Sequence, residues 1–149
     1  AYGVNQRGSG DMYYKGGNLL NMLREILNDD EKWRQILRGL NQEFYHQTVT
    51  TQQVESYISQ AFGMDLKPVF DQYLRDVRVP ILEYYFTENQ TLNYRWISCL
   101  PNFTMPVDVE VGGDKFRIHP KASWSQIQVK NVGDLTVDLD YVVGVEMMR

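Results

Sequence analysis

Apolar residues recur at spacings of three and four from Tyr13 to about Arg75, the repeat that places them on one face of a helix. Four helices are predicted. Leu19, Leu20, Leu23, Ile26 and Leu27 mark the first. Trp33, Ile36, Leu37, Leu40 and Phe44 mark the second, after an Asn28-Asp29-Asp30 break in which an aspartate can cap the exposed N–H groups of a helix start. Val54, Tyr57, Ile58, Ala61 and Phe62 mark the third, which Thr50 and Gln53 open as a capping box and Gly63 ends. Leu66, Val69, Phe70, Tyr73 and Leu74 mark the fourth, with Asp65 as its expected cap and Pro68 in its first turn.

At Val79-Pro80 the repeat shortens to two. Val107, Val109 and Val111 alternate with polar residues, Gly112-Gly113-Asp114 turns the chain, and Phe116 and Ile118 alternate on the return. The same alternation marks Leu82 to Phe86, then Leu92, Tyr94 and Trp96, then Ile127 and Val129, then Leu135 and Val137, then Val143, Val145 and Met147. Seven short strands after four helices predict an α+β chain whose second part is a small antiparallel sandwich of immunoglobulin-like type. The expected units are residues 1–79 and 80–149. The Arg75 to Pro80 connection is too short and mixed for a flexible tether, so the two parts are expected to touch.

Composition removes several functions. Fifteen Lys and Arg against nineteen Asp and Glu give a net charge of −4, divided −1 and −3 between the two parts, with no basic stripe for nucleic acid. No apolar run approaches the ~20 residues of a membrane span, and no signal peptide is expected. One cysteine, Cys99, and two histidines, His46 and His119, do not supply a usual zinc-binding spacing, and H-E-x-x-H, P-loop, G-x-S-x-G and G-x-G-x-x-G signatures are absent. His46 is expected to serve carbonyls at the end of the second helix. His119 is expected on the polar face of the hairpin. Cys99 is expected as a buried, inert thiol without a basic neighbour.

Gly8-Ser9-Gly10-Asp11-Met12-Tyr13-Tyr14-Lys15-Gly16-Gly17 departs from ordinary helix composition, because each interior glycine weakens a helix by up to ~1 kcal/mol. On packing grounds alone, the glycines would admit a close neighbour and the tyrosines would edge the core.

The run Asp11 to Gly17, followed by Leu19, Leu20 and Met22-Leu23-Arg24, resembles the Tyr-x-Lys-Gly helix start of the gluzincin aminopeptidases, the zinc family of aminopeptidase N. Thr50-Thr51, Val69-Phe70-Asp71-Gln72-Tyr73-Leu74 and Val79-Pro80-Ile81-Leu82 extend the resemblance over roughly residues 9–86. It implies that residues 1–79 are the C-terminal part of a thermolysin-like catalytic domain and residues 80–149 the β-sandwich that follows. It also implies a zinc-dependent enzyme that removes N-terminal residues from peptides by attack of metal-activated water.

In that family the tyrosine of the motif, here Tyr13, donates a hydrogen bond to the oxyanion formed at the scissile carbonyl, a task suited to a phenol that keeps its proton at neutral pH. Tyr14 stands where many members carry an acidic or small residue, and is implied as a substrate contact. The family's zinc ligands and its anchor for the substrate amine lie upstream of this tyrosine. Zinc is therefore expected in a full-length parent and not in these 149 residues, which are expected to be an inactive piece beginning artificially at Ala1. The implied partners are peptides with a free N-terminus and the missing N-terminal part of the same chain, with self-association where that part would cover the helices. The alternative is a noncatalytic interaction scaffold derived from the same family. The compartment is left open, with a lean towards the periplasm or another extracytoplasmic site.

Overall fold

The computed structural model describes residues 10–148. Four helices, α1 (Asp11–Leu27), α2 (Asp30–Glu43), α3 (Thr51–Phe62) and α4 (Lys67–Arg75), precede seven strands. These are β1 (Ile81–Phe86), β2 (Thr91–Ile97), β3 (Val107–Val111), β4 (Asp114–Ile118), β5 (Ser125–Gln128), β6 (Leu135–Val137) and β7 (Gly144–Met147).

Local chemistry accounts for most helix ends. α1 buries Leu19, Met22, Leu23 and Ile26, one stripe at helical spacing, and stops where Asn28 turns left-handed and its N–H donates to the Arg24 carbonyl. Asp29 caps α2 by accepting from the Lys32 N–H at 2.9 Å. Thr50 and Gln53 form the expected reciprocal capping box on α3, and Gly63, at φ 80°, ends that helix. α4 begins differently from expectation. Leu66 is its cap residue, while Asp65 accepts from the Lys67 N–H at 3.0 Å, a local turn that does the work of a cap one residue early. His46 does not serve the end of α2 as expected. The Gln47 amide donates to the Glu43 carbonyl instead, and His46, itself left-handed at φ 53°, sets its ring edge-on to Tyr45.

The strands form two sheets, ordered β5-β2-β1-β7 and β4-β3-β6. β3 and β4 make the expected hairpin, with Val107 opposite Ile118 and Val109 opposite Phe116, and its turn uses Gly112 and Gly113 at positive φ. One pairing overturns the wholly antiparallel expectation: β7 runs parallel to β1, Ile81 opposite Gly144 and Tyr84 opposite Met147. A hairpin forces neighbours to be antiparallel, but β7 reaches the free edge of β1 after the chain has passed through the other sheet, and that crossover removes the constraint.

One hydrophobic cluster takes residues from the helices and from both sheets, among them Met22, Leu66, Leu82, Trp96, Phe103 and Val107. Specific bonds cross between helices and strands. The Tyr73 hydroxyl donates to the Val142 carbonyl at 2.9 Å, and the Gln72 side chain, wholly buried, donates to the Arg78 carbonyl and accepts from the Leu100 N–H. Arg117 of β4 donates to the Ile26 and Glu25 carbonyls at the end of α1 while gripping Asp108 of β3. No helix among the described residues is long and apolar enough to cross a membrane.

Candidate functional site

The glycine-rich helix start places two phenols in solvent. Tyr13 is 74% exposed and Tyr14 78%, so neither edges the core. The Tyr13 N–H donates to the Gly10 carbonyl at 3.1 Å, closing the first turn of α1. Close packing does not explain the glycines of this turn either, since a Cβ at Gly10, Gly16 or Gly17 would meet nothing within 4 Å among the described residues. Gly8 and Ser9, and the side chains of Asp11 and Met12, lie outside the described residues.

Lys15 reaches across to the segment between α4 and β1. Its ammonium donates to the Asp76 carbonyl oxygen at 3.2 Å. The Asp76 carboxylate is itself held by Arg78, which donates from Nε at 2.9 Å and from Nη2 at 2.7 Å. That guanidinium, with the Arg78 N–H, lowers the Asp76 pKa to about 2. Beneath these groups is a cleft of about 340 Å³. Leu19, Met22, Tyr73 and Val142 line it with apolar surface, and Tyr14, Lys15, Asn18 and Arg78 give it polar groups. Burial pushes the Tyr73 phenol well above its ordinary pKa, so it stays a hydrogen-bond donor to Val142. Tyr14 lines this cleft and Tyr13 does not.

The other chemistry-bearing residues are dispersed. Cys99 lies just beyond β2 and is half-buried. Contrary to expectation it has a basic neighbour, Arg78, but burial outweighs that charge and raises the thiol pKa. His119 is exposed at the end of β4. Among the described residues no three His, Cys, Asp or Glu side chains come together in a way that could hold a metal ion, so these residues do not fit zinc by themselves.

The fold has a solved counterpart. A crystal structure of Legionella pneumophila aminopeptidase A in complex with aspartic acid superposes with a TM-score of 0.72 over 95% of this chain, at 13% sequence identity. The chain spans 18% of the length of that enzyme. No protein-family model and no curated protein sequence matches the chain. The fold is therefore aminopeptidase-like, established by geometry where sequence similarity is too low to do so.

Sequence reasoning located the tyrosines and Lys15 but missed the cleft and the reach of Arg117. The cleft left one trace in the sequence: Lys15, Asn18, Leu19 and Met22 follow the spacing i, i+3, i+4, i+7, so two polar residues extend the apolar stripe of α1. The distant side, Asp76 to Val79 and Val142, leaves no local signal.

Proposed function

We propose that this chain is part of an aminopeptidase of the gluzincin type, in which Tyr13 stabilises the oxyanion formed when water attacks a peptide carbonyl. The observation that carries the reading is the exposed Tyr13 phenol at the first turn of α1, within a fold shared with an aminopeptidase. A phenol outside the core can point its O–H at a substrate without breaking any packing. A hydrogen bond from it strengthens as negative charge develops on the carbonyl oxygen, and so lowers the barrier more than it tightens ground-state binding. Tyr14, equally exposed and on the cleft wall, is assigned as a substrate contact.

In this reading residues 1–79 belong to a thermolysin-like catalytic domain, residues 80–149 form an immunoglobulin-like sandwich, and substrates are peptides with a free N-terminus. Zinc belongs to it only as a metal held by residues other than those described. The test is Tyr13→Phe in the full-length protein, assayed on free-amine peptide substrates. A fall in kcat of about 10²–10³, with KM, bound zinc and thermal stability unchanged, is expected. Turnover that survives the change removes Tyr13 from the chemistry, and the absence of turnover in the unaltered protein leaves a noncatalytic scaffold.

A further inference from the structure

The geometry points to the cleft between α1 and the α4–β1 connection as a binding site for a small apolar molecule bearing a carboxylate. This inference does not depend on the Tyr13 reading, because Tyr13 does not line the cleft and the event is binding rather than turnover; it shares with that reading only Tyr14, which stands on the cleft wall.

Size and lining come first. At about 340 Å³ the cleft lies at the lower end of the ~300–1,000 Å³ usual for ligand sites, and its floor is made of buried apolar residues, with Leu19 at 5% exposure, Met22 at 0% and Tyr73 at 6%. Rigid walls favour a preformed site. Tyr73 is fixed by its bond to Val142, and the Val142 N–H donates to the Met22 sulfur at 3.2 Å, so the floor is cross-braced between α1, α4 and the segment before β7.

Charge then selects the ligand. Two cations and one anion face the cleft. Arg78 and Asp76 neutralise each other through a two-pronged ion pair. Lys15 is different: among the described residues it meets no carboxylate, and its bond to the Asp76 main-chain oxygen uses one of three ammonium donors on a neutral acceptor. The net charge of the lining is therefore positive and is concentrated on Lys15, one turn from the Asn18 amide on the same wall. A cation with spare donors, an adjacent amide and an apolar floor together match a carboxylate on an apolar body. They disfavour an amine, which would meet Lys15 as a like charge.

The free acid and the C-terminal residue of a peptide share this chemistry, and two probes separate them. The 149-residue chain, labelled with ¹⁵N, is titrated with 3-phenylpropionate and with N-acetyl-glycyl-phenylalanine. 3-Phenylpropanol and 3-phenylpropylamine serve as neutral and cationic controls. Saturable shifts of the Lys15, Asn18 and Val77 amides are expected, with a Kd of about 0.1–1 mM for the better acid, weaker binding of the alcohol and weaker still of the amine. The stronger of the two acids identifies the source. Lys15→Met should abolish the preference for acid over alcohol, and Lys15→Glu should reverse the order of acid and amine, with the spectra of both variants showing the fold retained. Lys15 is exposed, so neither change opens a hole in the core. Absence of saturable shifts at these amides up to 10 mM probe (about tenfold above the upper expected Kd), or equal binding of acid and amine, overturns the proposal.

Discussion

Arg117 grips Asp108 through two bonds of 2.7 Å and, with the same guanidinium, donates to the Ile26 and Glu25 carbonyls at 2.6 and 2.9 Å. The end of α1 is thus capped by a side chain from a β-hairpin some ninety residues downstream. The Tyr141 hydroxyl donates to the same Asp108 carboxylate, which holds the acceptor in place. Arg117→Met should strand two helix carbonyls and one carboxylate and destabilise the fold by about 1.5–3 kcal/mol. Arg117→Lys should recover only part of this, since an ammonium cannot serve a fork and two carbonyls together. Urea midpoints at unchanged m measure both.

Acid should act through ion-paired carboxylates, Asp108 and Asp76 among them. Arg117 holds the Asp108 carboxyl below its ordinary range, and Arg78 holds that of Asp76 down to about 2. A carboxyl whose folded pKa is depressed binds its proton more readily when unfolded. Its contribution to stability is complete above the ordinary value and is lost as pH falls through the folded one. For Asp76 the window runs from 3.8 down to about 2. Asp76→Asn should flatten the slope of stability against pH inside that window and leave it unaltered above pH ~5. Denaturant titrations at successive pH values, variant against parent, measure the difference.

Gln72 offers a test of the joint between helices and strands. It is wholly buried, donates to the Arg78 carbonyl at 2.9 Å and accepts from the Leu100 N–H at 2.7 Å. Gln72→Leu keeps the volume but leaves a donor and an acceptor without partners, at a cost of about 1–3 kcal/mol. Faster hydrogen exchange at the Leu100 amide is expected, read by NMR. Exchange at Leu100 as slow as in the parent would show that this bond does not protect it.

The hairpin turn separates two effects of adding a methyl group. Gly113, at φ 87°, has open space around a Cβ, so Gly113→Ala should incur only the left-handed backbone penalty, about 1–2 kcal/mol. Gly112, at φ 56°, would bring its Cβ within 2.7 Å of the Asn131 Cβ, so Gly112→Ala adds a clash of about 1–3 kcal/mol. Thermal midpoints should fall in that order, Gly112→Ala lowest.

What could be read from the sequence was local. The capping box at Thr50 and Gln53 and the β3–β4 turn are each set by residues within a few positions of one another, and both formed as expected. The β1–β7 pairing was not legible, because alternation shows which face a strand buries but says nothing about its neighbour or its direction. The Arg117 cap escaped for a similar reason: an arginine on the polar side of a hairpin looks solvated until the fold brings α1 beside it. At the helix start, composition marks Gly8 to Gly17 as unusual, but only the fold shows that Gly10, Gly16 and Gly17 have no close neighbour among the described residues and that Tyr13 and Tyr14 stand in solvent.

The parallel seating of β7 on β1 imposes an order on assembly. Helices and hairpin close through neighbours in the chain and can form as soon as their residues exist. β1 cannot have both edges paired until Gly144 to Met147, roughly sixty residues downstream, have been made and have crossed from the other sheet. During synthesis one edge of a strand carrying Leu82, Tyr84, Tyr85 and Phe86 therefore waits open, a template on which another nascent chain can add. Protection of that edge against misassembly depends on β7, a strand made long after the one it covers.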